Sequence, residues 1–500
     1  MVCPALPPEI WLQIFEHLRT KPHYRSGRKV LASLCHVSRL FDKIARPLVY
    51  QEFSISSDPV APFVRTILAR PDLAELSTRL KVSYGWNRLH LAFPLTEQDI
   101  SQLTSKASEV GLAIPDGQDV TGWKRKHSGD NWTTASPTYE PLIMLLIRLL
   151  PNLYHIRSNE YDYRLLDTLP PGSYLTRLQS VDMSCHDTGF GFDPSEEQLM
   201  PLWKAPNLES VSLSWHRETS RHMPFQSLRK LQLRDSILHK DGEDLAKLLG
   251  PYSRLETFLF SSEDRNSYDG LEARPRQIAV GLRKTAAAET LRFLALDTSR
   301  QCFPHHTLSV MTDWEDREDA LEEEFEEEMA EADPNLPRPS EETRCGVGFT
   351  ITNLQLFPRL EVLYLDQSCF WRRKAFWRAP EFEAIMRDGA LFRKLLPPSI
   401  RQVFLGGDGT PAESPECPKF EPDLLDLARA AREGEFPHLV RLYCTGFAFE
   451  APSALREAFR DAGVDFSLEG PKEKDETFCP MCWVKRFCSA FEHEEYVPGV

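Results

Sequence analysis

The stretch Leu360-Glu361-Val362-Leu363-Tyr364-Leu365, led in by Phe357-Pro358-Arg359, decides how this chain folds. Its last four positions alternate between two faces, which is the period of a strand with one face against a core. The same Leu-x-x-Leu-x-Leu spacing, with aliphatic or aromatic substitutes, recurs at Leu178-Val181-Met183, Leu208-Val211-Leu213, Leu228-Leu231-Leu233 and Leu255-Phe258-Phe260. It continues at Leu291-Leu294-Leu296, Ile400-Val403-Leu405 and Leu439-Leu442-Cys444, and a weaker first copy starts at Leu153 with Ile156. Helical patterns fall between the copies, at Glu196–Trp203, Asp241–Leu249, Arg276–Glu289, Glu381–Leu396 and Pro422–Gly434. Leu245, Leu248 and Leu249 form an apolar stripe in one, and Leu424, Leu427, Ala428 and Ala431 in another. A strand–helix unit this short cannot bury its own apolar face and must stack on its neighbours. The expected fold is therefore α/β, an irregular stack of strand–helix units over residues 60–470.

These copies resemble degenerate leucine-rich repeats. Ser236 followed by Leu238, and Ser368 followed by Phe370, extend two of them at the positions where that pattern places Asn or Cys and then an apolar residue. Successive anchors are 25, 30, 20, 27, 36, 69, 40 and 39 residues apart. The family period is about 20–29 residues, so several units carry insertions and the resemblance implies an irregular solenoid. The competing reading is a set of unrelated α/β elements, because one copy of so short a pattern carries no information. Outward positions of the strands, Ser212, Gln232, Tyr364, Phe404 and Tyr443, alternate with the leucines. They are candidates for contact with a protein substrate, since aromatic anchors are frequent hot spots.

The first fifty residues carry a second pattern. Pro7 and Pro8 suit the first turn of a helix, and Ile10, Ile14 and Leu18 then recur every four residues beside Trp11 and Phe15. A second segment has Val30, Leu34, Val37, Phe41 and Ile44 at helical spacing. Between them Arg19 to Lys29 is read as a loop, marked by Pro22 and Gly27. The order Leu6-Pro7-Pro8-Glu9-Ile10, Ile14-Phe15, Val37-Ser38-Arg39-Leu40-Phe41 and Ala45-Arg46-Pro47-Leu48 resembles an F-box, here assigned to residues 1–52. The link between its helices is longer and more basic than that family's spacer. The resemblance implies docking on the Skp-type adaptor of a cullin–RING ubiquitin ligase, through Leu6, Pro7, Ile10, Ile14, Leu18, Leu34, Val37 and Leu40. F-box followed by leucine-rich repeats is a familiar domain order, so each resemblance supports the other. The alternative is a leucine-rich-repeat scaffold whose N-terminal helices cap the stack. A cap would bury Ile10, Ile14 and Leu18 against residues near Phe63 to Leu80, whereas an F-box would leave much of that face open.

The formal charge of −15 is mostly local: between Asp313 and Asp333 stand 13 Asp or Glu and one Arg, leaving about −3 for the rest. Such a carboxylate run is self-repelling, and residues 313–345 are expected to be a solvated excursion, as is the polar stretch 113–138. Another reading makes the acidic run a clamp for a basic partner. Lys124-Arg125-Lys126 is a weak nuclear-import match. No concentrated basic surface suited to a nucleic-acid backbone is evident. Neither a secretory leader nor an apolar run long enough for a bilayer is recognisable; the longest, Leu142 to Leu150, is broken by Arg148. Eleven scattered cysteines read as reduced thiols, so a cytoplasmic or nuclear location is expected, without membrane or nucleic acid as partner.

No phosphate-binding Gly-x-x-x-x-Gly-Lys-Ser/Thr, His-Glu-x-x-His or Gly-x-Ser-x-Gly motif occurs. The chain is therefore read as a non-enzyme without cofactor. In the tail, residues 471–500, Cys479 and Cys482 form a C-x-x-C knuckle with Cys488 and His493 following. Those four could bind zinc, but their spacing fits no standard finger, and free or packed thiols are the plainer reading.

Overall fold

The computed structural model describes residues 6–20, 24–54, 60–83, 96–112, 140–159, 175–184, 205–214, 227–236, 242–262, 275–298, 351, 353–369, 371–373, 382–384, 390–407, 420–447 and 449–468. The chain divides at Ser212 into two compact units.

The first unit opens with three helices, α1 (Pro8–Thr20), α2 (Tyr24–Leu34) and α3 (Arg39–Tyr50). The loop expected between Arg19 and Lys29 is thus corrected: helix runs to Thr20 and resumes at Tyr24, residues 21–23 lying outside the described ones, and a further break falls at 35–38. There Ser38 takes the N-cap of α3, its hydroxyl accepting from the Phe41 N–H at 3.1 Å. Strands β1 (Glu52–Ser54), β2 (Arg79–Ser83), β3 (His155–Asn159) and β4 (Ser180–Ser184) then pair in parallel in chain order, with β5 (Ser210–Ser214) beside β4. Helices α4 (Val60–Ala69), α5 (Pro71–Ala74), α6 (Glu97–Glu109) and α7 (Glu140–Leu149) connect the earlier strands. Thr96 and Asp99 form a capping box on α6, and Arg65 of α4 grips the Asp99 carboxylate. The Arg65 hydrogen bonds hold that carboxyl far below the usual carboxylate range.

Among its described residues the second unit has seven parallel strands in the order β6 (Lys230–Ser236), β7 (Thr257–Ser262), β8 (Phe293–Asp297), β9 (Val362–Asp366), β12 (Gln402–Gly406), β13 (Arg441–Thr445) and β14 (Asp465–Ser467). A separate antiparallel pair, β10 (Trp371–Arg373) with β11 (Phe382–Ala384), follows β9. Its helices are α8 (Gly242–Leu249), α9 (Pro275–Arg283), α10 (Ala287–Thr290), α11 (Leu391–Leu395), α12 (Glu421–Arg432) and α13 (Pro452–Asp461). The helix expected over Glu381–Leu396 is corrected to strand β11 and the short α11. Glu196–Trp203 lies outside the described residues, as do the regions 113–138 and 313–345.

One hydrogen-bond device repeats in both units. The carbonyl just ahead of a strand accepts from two successive N–H groups at the start of the next, at Gln51, Thr78, Tyr154, Gln179, Arg229, Glu256, Arg292, Glu361 and Arg401. Thr78 O takes Tyr154 and His155 at 2.9 and 3.2 Å, and Glu256 O takes Arg292 and Phe293 at 2.8 and 2.9 Å. Arg292 O takes Glu361 and Val362, and Glu361 O takes Arg401 and Gln402. The device fixes register at the start of these strands, so the apolar residue two positions after the carbonyl faces the core. Leu80, Ile156, Val181, Leu231, Phe258, Leu294, Leu363, Val403 and Leu442 are all buried there. In the second unit charges alternate along the same edge: Arg229 pairs with Glu256 at 2.6 Å, and Glu361 with Arg292 at 3.0 Å and Arg401 at 3.8 Å.

Candidate functional site: the three N-terminal helices

Helices α1–α3 close on a core of their own. Phe15, Leu31 and Ala45 are fully buried at its centre, ringed by Trp11, Leu18, Leu34, Cys35, Phe41, Ile44, Leu48 and Val49. Phe41 links the helices through its ring, 4.7 Å from Trp11 and 5.3 Å, edge to face, from Phe15. At Gly27 a Cβ would run into the Leu18 carbonyl, so the missing side chain lets α2 lie directly on α1. Pro7 begins α1 by giving its carbonyl to the N–H groups of Ile10 and Trp11 at 3.1 and 3.3 Å. The Cys35 thiol donates to Leu31 O at 3.4 Å, and burial, then Asp42, pushes its pKa up.

What the three helices leave uncovered is unusual. Leu6, Ile10, Leu12, Ile14, Val30, Val37 and Leu40 are each 39–64% exposed, and they are seven of the nine exposed large apolar residues among those described. Scattered exposed leucines need no explanation, but a concentration in one small body does. Of the eight residues assigned to adaptor contact from sequence, Leu6, Pro7, Ile10, Ile14, Val37 and Leu40 are exposed, whereas Leu18 and Leu34 are half-buried in the trio's own core. Leu12 and Val30 belong with the exposed set, and neither is among the eight assigned from sequence. One position from Trp11 and Leu31, they lie about 100° round the helix from those core residues, on its flank, a placement that helical phase alone contained.

The residues assigned to substrate contact are placed differently. Ser212, Gln232, Tyr364, Phe404 and Tyr443 were expected to face outward, and each is at most 6% exposed. In the second unit Leu259, Phe293, Ala295, Tyr364, Phe404 and Tyr443 form one apolar cluster, with the Phe404 and Tyr443 rings stacked at 4.8 Å. The expectation of an open row is corrected: the second face of those strands is closed. The physical reason is compositional, because Leu259, Ala295 and three aromatic rings on adjacent strands make a face that water would solvate poorly. Burial, followed by Asp297 and Asp366, drives the Tyr364 pKa well above the ordinary phenol range.

Cys479, Cys482, Cys488 and His493 lie outside the described residues, and among those described no group of three or more His, Cys, Asp or Glu could hold a metal ion. An open concavity of about 430 Å³ in the first unit lies between Asn152, Tyr154, Arg177 and Asn207. Its amides are occupied: Asn152 donates to Glu75 O at 2.6 Å and Asn207 to Thr176 O, which ties successive turns together. No described helix is long and apolar enough to cross a membrane. A scan against protein-family models finds none that matches, and a search of curated proteins finds no significant match.

Proposed function

We propose that this chain is a substrate-recognition subunit of an SCF-type cullin–RING ubiquitin ligase. The three N-terminal helices act as an F-box that docks on a Skp-type adaptor, and the strand–helix body is a degenerate leucine-rich-repeat solenoid that holds a protein substrate. The observation that carries this reading is a helical trio complete in its own core yet showing seven large apolar side chains to water. A fold does not keep such a surface open without a partner to cover it. The capping alternative is disfavoured by the same observation, because Ile10 and Ile14 are exposed and no residue of 63–80 belongs to the trio's core.

In this reading the chain performs no bond chemistry. It raises the effective concentration of a substrate lysine near the loaded conjugating enzyme. The substrate meets exposed residues of the body, since the row around Tyr364 is buried. Replacing Leu6 and Pro7 with Ala, or Val37 with Glu, should abolish co-purification of the adaptor while circular dichroism and melting remain those of the parent. Undiminished adaptor capture by both variants would sink the assignment.

A further inference from the structure

The trio is electrically unlike the rest of the chain. Residues 24–50 hold Arg25, Arg28, Lys29, Arg39, Lys43 and Arg46 against Asp42 alone, a net of +5 in a chain of −15. The remainder is therefore −20, and 6–23 is neutral, with Glu9 and Glu16 against Arg19 and Lys21. The excess sits where the apolar side chains are. Lys29 adjoins Val30, Arg39 adjoins Leu40, and Lys43 follows Leu40 by one helical turn; all three bases are exposed, and so are Val30, Val37 and Leu40. Asp42 is engaged with Arg46, its neighbour four residues on, at 2.9 Å. Along α2 and α3 exposed apolar residues thus alternate in sequence with exposed cations, while the single carboxylate of the segment, Asp42, is taken by Arg46.

We infer that the α2–α3 edge docks on an acidic protein surface: an apolar groove with carboxylates on its rim, which meet Lys29, Arg39 and Lys43 while the groove takes Val30, Val37 and Leu40. This rests on the adaptor reading above and specifies the chemistry of the adaptor face. An anionic bilayer would also attract cations and apolar side chains, but the charges on α1 favour a protein. On α1 the exposed Leu12 stands one turn from Glu9 and one turn from Glu16, both exposed, and an anionic bilayer would repel those carboxylates. A protein partner can place acids opposite one helix and none opposite the other. Rim charges of this kind act chiefly on the association rate and its salt dependence, with little effect on dissociation.

The test is stopped-flow association of the full chain with a purified Skp-type adaptor, from about 50 to 500 mM NaCl, a range over which exposed charges go from weakly to strongly screened. The parent should associate at least about tenfold more slowly at the high end. A variant with Lys29, Arg39 and Lys43 changed to Glu should lose about that factor at low salt and show no such slope, with its dissociation rate little changed. Changing the same three residues to Gln, with melting and circular dichroism as controls, guards against a fold defect from reversal. Salt-independent association of the parent, or an unaltered rate in both variants, overturns the inference and leaves adaptor docking standing. No complex with the parent overturns the adaptor reading itself. Parent binding to phosphatidylcholine vesicles with about 30% phosphatidylserine, lost in the Glu variant and unaccompanied by an adaptor complex, would assign the edge to a membrane surface instead.

Discussion

Gly27 lies in α2 where that helix rests on the Leu18 carbonyl of α1. In an ordinary helix a change of Gly to Ala stabilises by roughly 1 kcal/mol. Here the added methyl meets backbone, which cannot swing aside, and the sign reverses. Gly27→Ala should cost the trio about 1–3 kcal/mol and weaken adaptor capture, while the circular dichroism of the rest of the chain holds. A stabilised protein with normal capture would show that the helices do not meet at this point. The sequence misread this residue as a loop marker, because a contact glycine and a turn glycine are the same letter. His155 is a second residue-scale case. Its Nδ1 lies 2.6 Å from Ser180 Oγ, and burial lowers its pKa from 6.5 to about 4 despite the opposing pull of Asp182. The folded state holds it neutral while the unfolded chain protonates near pH 6.5, so its share of stability is intact above that pH and drains away as pH falls toward 4. At about 1.36 kcal/mol per pH unit the loss amounts to roughly 3 kcal/mol. His155→Gln should flatten that part of the pH–melting curve; an unchanged slope would locate the acid sensitivity elsewhere.

Among the elements, β8 and β9 matter most, since 64 residues separate Asp297 from Val362 and yet the strands pair in register. From the sequence, Leu291–Leu296 and Leu360–Leu365 are expected to be neighbours or to be separated by at most one irregular unit, and they are neighbours. The fastening is not legible there. Thr298 N–H donates to Asp366 Oδ1 at 2.7 Å, Cys369 Sγ–H donates to the same oxygen at 3.2 Å, and Ile351 N–H donates to Cys369 O at 2.8 Å. The residues on either side of 299–350 are therefore bonded to one turn, Asp366–Cys369. Since loop closure costs grow only with the logarithm of length, deleting Glu315–Pro339 should move the melting temperature by no more than a few degrees, as read by differential scanning calorimetry. Asp366→Ala is expected to be far worse, costing roughly 1–3 kcal/mol for the donors it strands. If the deletion unfolds the protein and Asp366→Ala does not, the clasp has no such role. Leucine spacing revealed these strands because a half-buried strand repeats every second residue. It could not reveal a clasp assembled from a carboxylate, a thiol and three main-chain groups.

For the molecule as a whole, the repeats visible in the sequence are those whose anchors are leucine or isoleucine. The strands β1, β2 and β14 were missed for a plain reason: at the anchor position β2 has Ser77, whose hydroxyl donates to Tyr50 O at 2.8 Å, and β14 follows Gly463 at positive φ. The closed second face was missed because alternation says which residues share a face, and it says nothing about what covers that face. Each anchor row should be costly to breach in either unit. Leu363→Ala, at a fully buried position between β8 and β12, should destabilise by about 2–5 kcal/mol in chemical denaturation. Arg292→Ala on the charged edge should cost no more than about 1 kcal/mol, because that pair is partly solvated. Comparable losses from the two variants would mean that the edge contributes as much as the core.

The doubly accepting carbonyl ahead of these strands has a consequence for how this chain can change over generations. It sets the alignment of a strand from the strand before it, without reference to how much chain lies between; the anchors so joined stand 25 residues apart in one case, Leu153 and Leu178, and 69 in another, Leu291 and Leu360. Growth or loss of chain beyond a strand's C-terminal end therefore leaves every later side chain on its original face. Descendants of one ancestor can differ greatly in length and keep the same core, with lengthening confined to the ends of strands and shortening never reaching the two residues that share that carbonyl.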